Sequence, residues 1–192
     1  MAANKNDIDS ALIEEVKKGD TEAFRQLVDK YKNVSLSLAC SILKDKEKAE
    51  DVLQDAFVKV FQKASSFKHQ SAFSSWLYRI VVNTAYNELK RNKRYLDLDD
   101  LNSNESQANE KTAIQHLKED DQKKFVILAL NRLKPDEALV LRLFYLCDMS
   151  LKEVQEVTNF STSKIKVDLH RGRKNMEAVL TDLLGTQLKD LI

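Results

Sequence analysis

Glycine and proline are scarce in this chain, which has three glycines and one proline in 192 residues. β-Sandwiches, β-barrels and glycine-rich cofactor loops need many more positions where the backbone turns tightly or approaches a ligand closely. The chain also has 43% apolar and 32% charged side chains, a composition typical of a globular protein that can bury a core. The sequence therefore predicts an all-α fold.

Targeting signals and metal-binding patterns are missing from the sequence. No window approaches the roughly 18 consecutive apolar residues that a membrane-spanning helix needs, and the segment MAANKNDIDS lacks the apolar stretch of a secretory signal. Cys40 and Cys147 lie far apart, without a CxxC pair or a neighbouring histidine, so we expect ordinary core residues rather than a disulfide or a zinc site. We expect a cytoplasmic protein with no membrane insertion, no metal and no cofactor.

Charge is distributed unevenly along the chain, although the net charge is only +1. Residues 1–96 and 122–192 carry net charges of +4 and +3, whereas residues 97–121 carry −6. This acidic segment is rich in Asn, Ser and Gln and offers little to bury in a core. We interpret it as a flexible linker between an N-terminal domain (1–96) and a smaller C-terminal domain (122–192).

Apolar residues recur every three or four positions through both halves, as on one face of a helix. In the N-terminal half this periodicity predicts four helices, over residues 24–31, 36–43, 52–61 and 73–89. In the C-terminal half it predicts a helix over residues 125–133, another that starts at Pro135, and two more joined by a tight turn. Each half is therefore expected to be a small helical domain.

The most specific local signal lies in the segment SLKEVQEVTNFSTSKIKVDLHRGRKNM. Ser150 and Glu153 have the spacing of a capping box, and Asn159 suits the left-handed backbone of a tight turn. Ser161 or Thr162 then caps a second, longer helix. A short helix, a three-residue turn and a longer helix predict a helix-turn-helix, whose second helix enters the DNA major groove.

The second helix of this pair has two different faces. Ile165 and Leu169 belong to its apolar stripe, and Gly172 lies on the same side, where the backbone can pack closely. The opposite face carries Lys164, Lys166, Val167, His170, Arg171 and Lys174. Such a face is also typical of a solvated surface helix, but the two caps and the turn at matching offsets favour DNA binding.

Residues 49–62 predict a helix with an apolar stripe and a polar outward face. The stripe consists of Val52, Leu53, Ala56, Phe57, Val60 and Phe61, and the outward face consists of Asp51, Gln54, Asp55, Val58 and Gln62. Val58 places an apolar side chain inside a polar rim, which is typical of a protein-binding surface. Isolated exposed valines are also common, so this pattern alone leaves a plain solvated face open.

The next helix and the loop before it carry side chains that suit nucleic acid. The polar positions of the helix include Arg79, Asn83, Lys90 and Arg91. We expect Trp76 in the core rather than stacked on a DNA base. The preceding loop contains His69, Gln70 and Ser71, hydrogen-bonding residues without regular secondary structure, and such a loop can hold an extruded base.

Four segments occur in the order of a known family: GDTEAFRQLVDKY, AEDVLQDAFVKVF, FSSWLYRIVVNTAYNELKR and the helix-turn-helix of residues 150–174. With the acidic segment, they make residues 10–180 resemble bacterial RNA polymerase sigma factors of the extracytoplasmic-function type. The resemblance implies that the N-terminal domain binds the polymerase clamp and melts the minus-ten promoter element, while the C-terminal domain reads the minus-thirty-five element. It implies core RNA polymerase, promoter DNA and an anti-sigma protein as partners.

The resemblance also assigns residues to three surfaces. The polymerase-binding residues are Asp51, Gln54, Asp55, Val58 and Gln62. The minus-ten residues are Lys68, His69, Gln70, Ser71, Arg79, Asn83, Lys90 and Arg91. The minus-thirty-five residues are Lys164, Lys166, Val167, His170, Arg171 and Lys174. The chain departs from the family pattern at Gln155, Thr158, Asn159 and Asp168, which leaves the recognised promoter sequence open.

Two other classes of protein fit parts of the sequence. A two-domain helix-turn-helix transcription regulator would need a ligand pocket or a dimer face in residues 1–96, which the polar-rimmed face of 49–62 fits less well. An enzyme would need a nucleophile–base pair or metal ligands, but His69, His116 and His170 fall in a loop, the linker and a basic helix without such spacing. We therefore expect a sigma factor with no catalytic residues of its own.

Overall fold

Eight α-helices make up most of the computed structural model, which describes residues 5–98 and 119–185. Their bounds are α1 Lys5–Lys17, α2 Thr21–Leu43, α3 Lys46–Lys63, α4 Phe73–Leu98, α5 Glu119–Arg132, α6 Pro135–Leu141, α7 Leu151–Thr158 and α8 Thr162–Leu184. A 3-10 turn follows α3, and a π-helical turn, Arg142–Leu146, extends α6. The described residues contain no strand, and the predicted all-α fold is confirmed.

Short polar residues at the helix ends explain where α2 and α3 begin. The Asp20 carboxylate accepts hydrogen bonds from the backbone N–H groups of Glu22 and Ala23, and the Asp45 carboxylate accepts one from Lys48. These bonds satisfy amides that have no partner inside the helix. Lys44 separates the two helices in a left-handed conformation, with φ of 56°.

The N-terminal half differs from the prediction in two respects. The segments 24–31 and 36–43 belong to one helix, α2, because the fully buried Ser35 occupies a core position and interrupts the apolar pattern without interrupting the helix. Helix α1 was not predicted, because the buried Asp9 breaks its apolar stripe. The Asp9 carboxylate accepts hydrogen bonds from the Lys30 ammonium and the Tyr31 hydroxyl, which tie α1 to α2.

One cluster of buried apolar side chains extends through both halves of the chain. In the N-terminal half, Leu27, Leu38 and Leu77 are at most 1% exposed, and in the C-terminal half Leu139 and Ile165 are fully buried. Full burial of one such side chain contributes about 1.5–3 kcal/mol. The helices of the two halves therefore pack as one arrangement, with α4 against α7 and α2 against α6.

Two cationic side chains join the halves, Lys44 at the surface and Arg142 in the interior. The Lys44 ammonium donates hydrogen bonds to the carbonyl oxygens of Asn131 and Leu133, at 2.8 and 2.7 Å. The Arg142 guanidinium, in a residue only 2% exposed, donates to Ser37 Oγ and to Asn131 Oδ1, both at 2.8 Å. The end of α2 is thus bonded to the end of α5 and to the π-helical turn.

The remaining sequence-based expectations have different outcomes. The domain bounds 1–96, 97–121 and 122–192 stay predictions, and residues 99–118 of the expected linker lie outside the described residues. Cys40 and Cys147 are free, partly buried thiols, and burial raises the pKa of both, that of Cys147 to about 11.

In the parts of the chain that the structure describes, every helix is too short or too polar to cross a membrane.

The hydrogen bonds of Arg142 lead to a prediction about stability. Arg142→Ala leaves Ser37 and Asn131 without their donor and opens a gap between the halves, so we expect the free energy of unfolding to fall by about 1–3 kcal/mol. Urea denaturation measures the change. Arg132→Ala is the matched control, because the Arg132 side chain is 49% exposed and pairs with the exposed Asp182. Equal losses in the two variants would contradict the role given to Arg142.

Candidate nucleic-acid and polymerase interfaces

The helix-turn-helix has the caps and the turn that the sequence predicts. Ser150 Oγ accepts from the Glu153 backbone N–H, and the Glu153 carboxylate accepts from the Ser150 backbone N–H at 2.9 Å, which completes the capping box. Asn159 ends α7 in the left-handed region, with φ of 59°. Ser161 caps α8 by accepting from the Lys164 backbone N–H. The predicted motif is therefore confirmed in its local structure.

The apolar side of α8 packs closely against α6. Ile165 is fully buried and Leu169 is 7% exposed. A Cβ atom on Gly172 would lie 3.0 Å from Leu141 Cδ1 and 3.4 Å from Glu137 Cβ, so only glycine allows this approach without a shift of the neighbours. The contact fixes the rotation of α8 about its axis and hence the direction of its opposite face.

Five of the six predicted minus-thirty-five residues project into solvent from that opposite face: Lys166, Val167, His170, Arg171 and Lys174. Val167 is 44% exposed and places an apolar side chain among the cationic ones. Arginine can contact a guanine edge and valine a thymine methyl group, so this face combines two residue types that read bases with several that bind phosphate.

Lys164, the sixth predicted residue, is directed back toward the protein. Its ammonium lies 2.7 Å from carboxylate oxygens of both Asp136 and Asp168, and 4.4 Å from the centre of the Phe160 ring. Partial burial lowers the pKa of Lys164, but the two carboxylates outweigh it and raise the pKa overall. Asp168, one of the departures from the family pattern, therefore serves to hold this lysine.

The other departures form hydrogen bonds within the turn. Thr158 Oγ1 donates to the Val154 carbonyl at 2.7 Å and accepts from the Phe160 backbone N–H at 3.2 Å. The Thr162 hydroxyl donates to Gln155 Oε1 at 3.0 Å, so these two side chains join α7 to the start of α8. Polar residues here replace the apolar turn of the family pattern with a hydrogen-bonded one.

Helix α1 holds the loop between α3 and α4, where the predicted base-binding residues lie. The Lys17 ammonium donates to the Phe67 carbonyl at 3.0 Å, and the His69 ring is hydrogen-bonded to Glu14 Oε1 at 2.7 Å. The hydrogen bonds from Lys17 and His69 lower the pKa of Glu14. His69 has a φ of 56°, in the left-handed region, and the chain bends at this residue. A helix that the sequence pattern missed thus orients the loop.

A cavity of about 380 Å³ opens beside this loop. It is lined by Ser66, Phe67, Lys68, Gln70, Ser71, Trp76, Arg79 and Glu156. The structure therefore brings four predicted minus-ten residues together, namely Lys68, Gln70, Ser71 and Arg79. Trp76 is partly buried against Phe67, with ring centres 5.2 Å apart, and forms part of the wall. Glu156 comes from α7 in the other half and was not anticipated.

The other minus-ten candidates lie further along α4. Asn83, Lys90 and Arg91 are exposed, and Arg91 also pairs with Glu88 on the same helix. Lys90 lines a second groove, of about 550 Å³, whose opposite wall includes Arg171. Two cationic residues assigned to different promoter elements therefore face one groove.

The outward face of α3 contains all five predicted polymerase-binding residues. Asp51, Gln54, Asp55 and Gln62 are exposed, and Val58 is 55% exposed. Phe61, which was predicted in the core, is 40% exposed, so that prediction is wrong. The reason is that its ring packs edge-on against Phe24 at 5.0 Å, at the border of the core rather than inside it. Val58 and Phe61 lie one turn apart, so the apolar part of this face is larger than predicted.

Comparison with known proteins assigns the family. Residues 27–95 match the family model for Sigma-70 region 2, and residues 126–176 match that for Sigma-70, region 4. The chain is 30% identical over 181 residues to the extracytoplasmic-function (ECF) RNA polymerase sigma factor SigW of Bacillus subtilis, covering 89% of this chain and 96% of that one. The chain belongs to the extracytoplasmic-function sigma factors. It is an alternative sigma factor that directs promoter-specific initiation of transcription.

Other relatives agree with this assignment. The ECF RNA polymerase sigma-E factor of Escherichia coli is 28% identical over 186 residues, covering 92% of this chain and 96% of that one. Among solved structures, the sigma factor RpoE of Bartonella quintana, in complex with the anti-sigma factor NepR, matches with a TM-score of 0.66 at 24% identity. That match covers 82% of this chain and 96% of RpoE, and it supports the same fold.

The fit of α8 against α6 gives the second prediction. Gly172→Val forces two methyl groups against Leu141 and Glu137, and overpacking of this kind costs about 1–3 kcal/mol. We expect a lower melting temperature and weaker binding to minus-thirty-five DNA, because α8 must move away from α6. Ala178→Val is the control, because it introduces the same residue on the exposed side of the same helix. A melting temperature that falls equally in both variants would contradict the close-packing argument.

Proposed function

We propose that this sigma factor binds core RNA polymerase through the outward face of α3. The apolar pair Val58 and Phe61 forms the centre of the contact, and the exposed acidic and amide side chains form its rim: Asp51, Gln54, Asp55 and Gln62. An apolar centre with a polar rim is the composition of a protein-binding surface. The exposure of two large apolar side chains on an otherwise polar helix supports this assignment.

The minus-ten element binds at the cavity between the 67–71 loop and α4. A base extruded from the duplex enters beside Lys68, Gln70 and Ser71, and Trp76 offers an aromatic wall. Arg79, Asn83, Lys90 and Arg91 contact the backbone along α4, and His69 holds the loop through Glu14. The gathering of these residues around one cavity is the observation that carries the proposal. Extrusion of a base costs a few kcal/mol, and contacts that the base makes in the cavity offset this cost.

The minus-thirty-five element binds along the exposed face of α8. Val167 and Arg171 contact base edges, while Lys166, His170 and Lys174 contact phosphates or neighbouring bases. Lys164 reaches DNA only after it leaves Asp136, so we assign it a smaller part than the sequence suggested.

The chain itself performs no reaction in this proposal. It supplies binding energy and promoter specificity in the cytoplasm, and core polymerase performs the nucleotide chemistry. The family assignment decides against a ligand-controlled helix-turn-helix dimer. An anti-sigma protein is a further proposed partner, and the similarity in fold to RpoE, which was solved with NepR, supports it.

The polymerase-binding face is tested by reversing its charge and removing its apolar centre. Asp51→Arg and Val58→Glu should each weaken binding to core polymerase roughly tenfold or more, because they alter the rim and the centre of the contact. Both side chains are exposed, so the melting temperature should hardly change. Asp29→Arg on α2 makes the same charge change at another exposed site. Normal affinity for core polymerase in the Asp51 and Val58 variants would refute the assignment.

The face of α8 is tested by separating base readers from phosphate contacts. Arg171→Ala should relax the preference at one or two minus-thirty-five positions, at a cost of about 1–3 kcal/mol of discrimination. Lys174→Ala should weaken binding to all sequences. It should also reduce the slope of log K against log salt concentration by about one. Transcription from a randomised upstream element, at two salt concentrations, measures both effects. Unchanged sequence profiles for Arg171→Ala would show that this residue reads no base.

A further inference from the structure

A carboxylate lies beside the proposed base reader on α8. Asp168 precedes Arg171 by three residues, and Lys164 precedes Asp168 by four, so each side chain is about one helical turn from the next. All three residues line the groove of about 550 Å³. Carboxylates and cations at these spacings form ion pairs along a helix surface. Asp168 is therefore placed to pair with either of two cations, Lys164 or Arg171.

The structure pairs Asp168 with Lys164 rather than with Arg171. The Lys164 ammonium donates to a carboxylate oxygen of Asp168 at 2.7 Å, and Asp168 is only 8% exposed. A carboxylate buried to this degree needs a donor. Among the described residues, Lys164 is the one cation paired with Asp168, and the exposed Arg171 side chain has neither an ion pair nor a hydrogen bond. The Arg171 guanidinium is therefore free to contact DNA.

Two further contacts hold Lys164 in this position. Its ammonium donates to Oδ2 of Asp136 at 2.7 Å and lies 4.4 Å from the centre of the Phe160 ring. Asp136 belongs to α6 and Phe160 to the turn before α8, so the cluster is built entirely within the C-terminal half. A lysine that contacted a phosphate would have to leave two carboxylates and an aromatic ring. These contacts favour a role for Lys164 inside the protein.

Base reading by Arg171 depends on whether its guanidinium is already paired. Arginine reads guanine through two parallel hydrogen bonds, to O6 and N7. A carboxylate takes the same N–H groups in the same bidentate geometry. An ion pair between Asp168 and Arg171 would have to break before Arg171 contacted guanine, but it could persist beside any other base. Such a pair would therefore lower the preference for guanine.

We propose that Lys164 is a positioning residue of the minus-thirty-five site: by holding Asp168, it keeps Arg171 free to read a base. This inference rests on the proposed function, and specifically on the assignment of Arg171 as a base reader. Asp168 departs from the family pattern, and its pairing with Lys164 explains how α8 accommodates a carboxylate one turn from its reader. Lys164 thus acts through Asp168 on sequence preference and not as a contact to DNA.

The test measures transcription by core polymerase and the full-length chain from promoters randomised in the upstream element. Arg171→Ala first identifies the positions that Arg171 reads. Lys164→Met removes the charge and the donor, so Asp168 should turn to Arg171, and discrimination at those positions should fall about two- to fivefold, as expected for one competing ion pair on a helix surface. Lys46→Met is the matched control, because Lys46 pairs with Glu50 at the same i, i+4 spacing on α3. Its sequence profile should equal that of wild type.

A second substitution separates positioning from direct contact. Adding Asp168→Asn to Lys164→Met should restore the wild-type preference, because asparagine has no charge to attract Arg171. If Lys164 itself read a base, the double variant would stay defective, and if Lys164 only supported the helix, binding would fall for all sequences without a change in profile. Lys164→Arg keeps the charge and should keep the preference. Where circular dichroism shows that Lys164→Met loses its fold, the milder Lys164→Gln takes its place in the same comparison.

The outcomes separate this inference from the proposed function. If Arg171→Ala relaxes the preference but Lys164→Met does not, or if the added Asp168→Asn fails to restore it, the positioning role is refuted and the proposed reading by Arg171 stands. If Arg171→Ala leaves the profile unchanged, the proposed reading fails and this inference fails with it. A relaxed profile in Lys164→Met that returns to that of wild type in the double variant supports the positioning role.

Discussion

The burial of Arg142 is the constraint on which the contact between the two halves depends. Burial lowers its pKa to about 10, so the side chain remains charged at neutral pH. Within the described ranges its hydrogen-bond partners are neutral: the Ser37 hydroxyl, the side-chain amide oxygen of Asn131 and the Ala138 carbonyl. A buried charge is tolerated only when its donors are satisfied. Because those acceptors come from α2, α5 and α6, the guanidinium keeps its hydrogen bonds only while these helices stay together.

The same packing decides which candidate residues face solvent. Gly172 sets α8 closely against α6, which directs Val167 and Arg171 outward and brings Lys164 back toward Asp136. On the other half, α1 fixes the 67–71 loop through Lys17 and His69, and α4 supplies the other wall of the cavity. The DNA-binding candidates therefore depend on contacts between helices that are distant in sequence, although each candidate lies on a helix or loop that local rules describe.

Those local rules account for what the sequence could predict. The capping box at Ser150, the left-handed Asn159 and the exposed Val58 follow from spacing and backbone preference, and all three agree with the structure. Two of the errors arise where polar groups occupy core positions. Asp9 and Ser35 interrupt apolar patterns inside continuous helices, because a tertiary hydrogen bond or a small volume makes them acceptable there. The contact of Glu156 with Arg79 joins two halves, and no periodicity within either half can reveal it.

The proposed division into two DNA-binding units suits a protein that works on a shared scaffold. Each unit offers a small surface, and two weak contacts gain affinity when one scaffold holds both at the correct separation. In the proposed function core polymerase is that scaffold, so the binding energies of the two units act together on one promoter. A free chain has no such scaffold, and each small surface then binds DNA with only its own contacts.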